Sequence, residues 1–400
     1  MNMRLNKSRA LFFEQTGEPQ VSYWSNPHMS ALVKAAKGRT VPRWMTNWNP
    51  LSSDSRSNCP ILNENLKEVV AMVDPRWHSQ IANVYAGRTY SRTDMGESYR
   101  TFRGGIVTIS HEFTSAIAAY ASMYGKFISS LDMAQRMSID DCGRMWRGMR
   151  TQFDEDIEAY KSGGVLSLRG TAAMLSPSQW FEDATFAVCN AAESWFIAHE
   201  LSHHLARDLS KRPDKQVWKA FNELLSDSSC WHQELARLAP SHHSEVKADL
   251  LAFLIVSGHF APEKRRPMAL PASLTGAAVA LITIAHLRGE WETDLTDSHP
   301  GGLDRLRIFL TVVSELYGNS AVDPGNYDNA HMNIYRLSAL LLTYGKWAKD
   351  GFPMNEVLEE DPATLYATLP HVFYMERAVD FGLLADAYSA KRTASNSRNL

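Results

Sequence analysis

Between positions 182 and 209 the chain holds one long helical pattern, with Phe186, Ala187, Trp195, Ile197, Ala198, Leu201 and Leu205 at helical spacing. Into its last third it sets Ala198-His199-Glu200-Leu201-Ser202-His203-His204. A helix apolar enough to be buried must give these polar side chains partners, because burying them unpaired is costly. The spacing suggests one. Residues four apart share a helical face, so His199 and His203 can offer imidazole nitrogens to a single ion. Glu200 follows the first histidine and points beside that ion, where it can take a proton from a bound water.

Two histidines do not complete a catalytic zinc site, which takes a third protein ligand and keeps one position open. The next strong helix supplies candidates. Glu245-Val246-Lys247-Ala248-Asp249 begins 42 positions after His203, and Glu245 and Asp249 again lie four apart on one face. One of these carboxylates can bind metal while the other accepts the free N–H of a ligand histidine. His242 and His243 stand just before as fallback ligands. The HExxHxxGxxH scheme is excluded, since Ala206 and Leu209 occupy its glycine and third-histidine positions.

HExxH followed by ExxxD on a later helix resembles the gluzincin branch of the zincin metallopeptidases. The finer pattern from Glu245 through Ala248 and Asp249 to Ala252 is similar to the E-x-x-A-D-x-x-A of CAAX-prenyl-protease-type and related minimal gluzincins. The resemblance implies Zn2+ as cofactor, held by His199, His203 and Glu245, with Asp249 orienting one histidine and Glu200 as general base. Those families often carry a later HP…R segment, and Asp297-Ser298-His299-Pro300-Gly301-Gly302-Leu303-Asp304-Arg305 resembles it. By that analogy His299 stands near the metal as a donor to the oxyanion, and Arg305 braces the cleft. The resemblance covers roughly residues 177–310. The membrane helices of the prenyl-protease type are missing, so a soluble gluzincin is the better comparison.

The remaining sequence narrows the class. A net charge of −3 gives no basic field for nucleic acid, and Lys264-Arg265-Arg266 reads as a solvated loop. Cys59, Cys142, Cys189 and Cys230 are far apart and read as reduced thiols. Met1–Phe13 is too charged for a signal peptide, and Leu250–Val256 and Leu274–Leu287 fall short of the ~20 residues that span a bilayer. A cytoplasmic protein with no membrane span and a peptide or protein substrate is expected. No P-loop, GxSxG or dinucleotide fingerprint occurs.

The expected fold is α+β and mostly helical, a zincin-like catalytic core at 96–315 with helical N- and C-terminal additions. Residues 1–95 read as a largely irregular region of unknown role, with helix at Ser30–Ala36 and Asn63–Met72. Residues 316–390 read as helical and 391–400 as a disordered tail. Strands are expected at Gly104–Ile109 and Gly163–Leu168, the first as the edge strand on which zincins align an extended peptide. His111-Glu112 lacks a second imidazole and reads as a helix start ahead of Ser115–Met137. Further helices are expected at Asp154–Lys161, Val217–Leu225, Trp231–Leu238, Ser244–Val256 (capped by Ser244, stopped by Gly258), Leu274–Leu287, Leu303–Tyr317, Ile334–Trp347 and Val372–Tyr388. The function expected is a zinc-dependent metallopeptidase. The rivals are a zinc-stabilised interaction protein without catalysis, against which Glu200 argues, and a regulatory or toxin-type protease of narrow specificity.

Overall fold

The computed structural model describes residues 3–27, 29–30, 41–90, 96–101, 104–134, 184–206, 215–262, 270–292 and 299–318, with scattered positions between 138 and 155 and between 334 and 349. These residues are mostly helical, with one small mixed sheet. In chain order the main elements are α1 (Met3–Thr16), α2 (Pro60–Met72), β1 (Val84–Thr89), β2 (Gly96–Thr101), β3 (Gly104–Ser110) and α3 (His111–Ala134). There follow α4 (Ala184–Ala206), α5 (Lys215–Leu224), α6 (Ser229–Arg237), α7 (His243–Val256), α8 (Leu270–Arg288) and α9 (Gly302–Gly318). No helix among the described residues is long and apolar enough to cross a membrane.

Among the described residues, the helix that carries HExxH is the central element. Trp195, Ile197, Ala198, Leu201 and Leu205 of α4 are all buried, and a helix apolar on so many sides must be surrounded. It packs most closely on α8, α7 and α3, and it also touches α2 and β2. In turn α9 packs on α8, α7 and α6. The end of α7 is set locally. Gly258 takes φ 78°, His259 N–H donates to Leu254 O and Gly258 N–H to Ile255 O, the hydrogen-bond pattern of a glycine-terminated helix.

The sheet order is β1-β3-β2, with β1 parallel and β2 antiparallel to β3. Val84 pairs with Gly105, and Gly96 with Ile109. Alternation then gives the sheet two different faces. On one, Tyr85 and Ile106 meet Leu5, Phe12 and Phe13 of α1 in a small separate core. On the other, Val84, Ala86, Val107 and Ile109 join the main core with α4. Arg88 is buried in β1 and forms an ion pair with Glu193 of α4, whose carboxylate also accepts from Thr114 and Asn65. This network locks the sheet onto α4 six residues before His199.

Several expectations need correction. The Gly104–Ile109 segment is the central strand, and the edge facing α4 belongs to β2. The first ninety residues are more regular than expected, since they hold α1 and β1. Ser244 does not cap α7. The helix starts at His243, and no side chain caps it. The long helix α3 does start at His111. The Asp154–Lys161 helix lies largely outside the described residues, as does half of Ile334–Trp347, although the described positions within 334–349 are helical. The Gly163–Leu168 strand, the helix Val372–Tyr388 and the tail Lys391–Leu400 lie wholly outside them, as does all but the first residue of Ser30–Ala36.

Candidate metal centre

Three helices and one loop converge below the C-terminal third of α4. His199 and His203 project from one face of α4, with their Nε2 atoms 3.3 Å apart. Glu245, in the first turn of α7, reaches both: its Oε2 lies 3.6 Å from His199 Nε2 and its Oε1 3.6 Å from His203 Nε2. A tetrahedral ion with bonds of ~2.0–2.1 Å separates its ligand atoms by roughly 3.3–3.4 Å. Only the histidine pair matches that edge, and the two Glu245 oxygens stand slightly further off, one against each histidine; among the described residues this is the group of donors that could hold an ion.

The surroundings orient the donors. Asp249, one turn after Glu245, places Oδ1 3.0 Å from His199 Nδ1, within reach although the N–H is not aimed straight at it. That contact favours the proton on Nδ1 and leaves Nε2 for metal. Arg305 of α9 holds Asp249 with two hydrogen bonds, Nε to Oδ2 at 2.8 Å and Nη2 to Oδ1 at 2.6 Å. Its Nη1 stands 3.5 Å from Glu245 Oε2. Trp195 donates from Nε1 to the Asp249 carbonyl at 3.2 Å, and the rings of Trp195 and Phe196 flank His199. The histidine has little rotational freedom left.

Charge balance follows. Burial alone would lower the His199 pKa, but Asp249 and Glu245 outweigh it and hold the value at about 10. Burial alone would raise the Glu245 carboxyl, yet His199, Arg305 and His203 hold it well below the usual range. Asp249 is likewise depressed against burial, by Arg305 and His199.

His299 comes from the loop before α9, with Nε2 3.8 Å from Glu245 Oε1. Its side chain is 34% exposed, against 5–15% for His199, His203 and Glu245, so it stands on the solvent side of the cluster. Burial lowers its pKa. The glycines after it seat this loop. Gly302 N–H donates to Glu290 O and Leu303 N–H to Trp291 O, and a Cβ on Gly301 would come within 2.2 Å of the Glu292 carbonyl carbon. Backbone cannot swing aside as a side chain can. Gly301→Ala is expected to cost about 1–3 kcal/mol in a urea titration, the usual range for overpacking. An unchanged midpoint would show the loop free to shift.

Of the residues singled out in the sequence, His199, His203, Glu245, Asp249, His299 and Arg305 are thus brought together. The fallback ligands are not. His243 Nε2 lies against the carbonyls of Leu235 and Leu238, and His242 is buried and is not one of the grouped donors. His204 faces the sheet, its ring lying where Gly105 has no side chain. One participant had no signal in the sequence. Ser98 of β2 donates to Glu200, its Oγ 2.6 Å from Oε2 and 2.9 Å from the backbone O. A cavity of about 750 Å³ lies on the other face of β2, lined by Glu18, Tyr90, Glu97 and Tyr99, and it does not include the cluster.

No protein-family model, curated protein or solved structure matches this chain.

Proposed function

We propose that the protein is a zinc-dependent metallopeptidase with a zincin-like, gluzincin-type catalytic core. The observation that carries this reading is the convergence of donor atoms from His199, His203 and Glu245 within reach of one ion, with Glu200 next to the first histidine in sequence. Two imidazoles and a carboxylate suit zinc better than magnesium or calcium, which prefer oxygen shells. Bound zinc would supply Lewis acidity toward the scissile carbonyl and a lowered pKa for the attacking water. Glu200 accepts the proton from that water and returns it to the leaving amine. His299, at the solvent side, donates a hydrogen bond to the developing oxyanion. Asp249 and Arg305 fix His199 and Glu245 and do not touch substrate. An extended peptide would pair with β2, the edge strand next to α4.

The site also argues against its main rival. A purely structural zinc site closes its fourth position with another protein ligand and has no use for a carboxylate beside the first histidine. The test is hydrolysis of a proteome-derived peptide mixture, read by mass spectrometry, with and without 1,10-phenanthroline. New termini should appear, vanish with the chelator and return with added zinc. Zinc-loaded protein that cleaves nothing in the mixture would favour the interaction protein. Cleavage confined to one or a few sequences would favour the narrow regulatory protease.

A further inference from the structure

Glu200 is buried, and Ser98 reaches its carboxylate from a separate element. A hydroxyl carries one proton, and a bond to an ionised carboxylate is the strongest it can make. At 2.6 Å the Ser98–Glu200 Oε2 contact has the length of such a bond, while the backbone O at 2.9 Å is the weaker alternative acceptor. The last torsion of a glutamate is soft, so nothing intrinsic fixes the plane of its carboxylate. A donor anchored on a strand does fix it. Ser98 sits mid-strand in β2, directly opposite Val107 of β3, and β2 packs against α4. Two neighbours make that approach possible. Gly96, on the same face of β2, has no side chain where the Phe196 ring lies, and Gly105 of β3 likewise leaves room for His204.

Resting on the metallopeptidase reading, we propose that Ser98 is a positioning residue for the general base. It holds Oε2 of Glu200 and so presents Oε1 to the water whose proton is taken. The strand that would give an extended substrate its register is then also the strand that aims the base.

The experiment compares the 400-residue native chain, Ser98→Ala and Ser98→Thr, each loaded with zinc, on one internally quenched peptide chosen from those the native protein cleaves. A hydrogen bond to a charged group contributes about 1.5–3 kcal/mol, so kcat for Ser98→Ala should fall about 10–100-fold. KM should stay within about twofold, and zinc content and unfolding midpoint should match the native chain. Ser98→Thr keeps the hydroxyl and suits a strand, so it should recover most of kcat. A second readout needs no activity. In crystals of metal-free Ser98→Ala the Glu200 carboxylate should be rotated from its native orientation. Native kcat in Ser98→Ala, an unrotated carboxylate, or a loss of activity that tracks lost zinc or lost stability would each overturn the role. If the native chain itself binds no zinc or cleaves no peptide, the metallopeptidase reading fails first, and the positioning role falls with it.

Discussion

Glu200→Gln is expected to keep stoichiometric zinc and to lose peptide hydrolysis by about 10²–10⁴-fold in kcat, the usual contribution of a positioned general base. Glutamine fills the same space and can still accept the Ser98 hydrogen bond through its amide oxygen, so the fold around α4 should be undisturbed. It cannot accept the water's proton. The loss should fall on kcat and kcat/KM alike, because the interaction removed is made in the transition state and not with bound substrate. Glu245→Ala should behave differently, since it removes a donor from the cluster, and zinc itself should be lost. Near-native hydrolysis by Glu200→Gln would show that another group takes the proton, and the base assignment would be wrong.

Asp249→Ala should be the most damaging single change to stability, at about 3–5 kcal/mol by urea titration. Arg305 is buried, and both its hydrogen bonds to a carboxylate go to Asp249. The truncation leaves a guanidinium in the interior without its hydrogen-bonded carboxylate, with Glu245 at 3.5 Å and Glu200 as the carboxylates left to act on it among the described residues. The cost is mainly that of the stranded cation, because a buried pair gains little over an apolar replacement but loses much when halved. It follows that Asp249→Leu/Arg305→Met should cost less than Asp249→Ala alone, although it removes more. A double variant worse than the single one would mean that the pair is net stabilising. Both variants should also hold zinc more weakly, since His199 loses the carboxylate at its Nδ1.

What the sequence made legible follows from how local each signal is. The helices α4, α7, α8 and α9 were readable because their apolar residues and their stops lie within the element or just beyond it, as Gly258 does for α7. The i, i+4 pairs His199/His203 and Glu245/Asp249 were readable for the same reason. Their meeting across 42 positions was not, and it rested on a resemblance. The sheet was mostly missed. In β1 the run Val84-Tyr85-Ala86-Gly87-Arg88-Thr89 is buried throughout, but its arginine disguises a core strand, since the partner that makes Arg88 tolerable is Glu193, 105 positions away. In β2 the run Gly96-Glu97-Ser98-Tyr99-Arg100-Thr101 offers no apolar face to read. Charged and polar positions hid α1 likewise: Arg9 is buried because it donates to the carbonyls of Pro50 and Ser52. Ser98 belongs with these, its contact with Glu200 spanning 102 positions.

The proposed zinc site is tested directly by anomalous diffraction at the zinc edge from crystals of the chain grown with zinc. One strong peak is predicted, ~2.0–2.2 Å from His199 Nε2, His203 Nε2 and an oxygen of Glu245. It should be absent in His199→Ala/His203→Ala. A peak elsewhere in the chain, or a peak that survives in the double variant, would contradict the account.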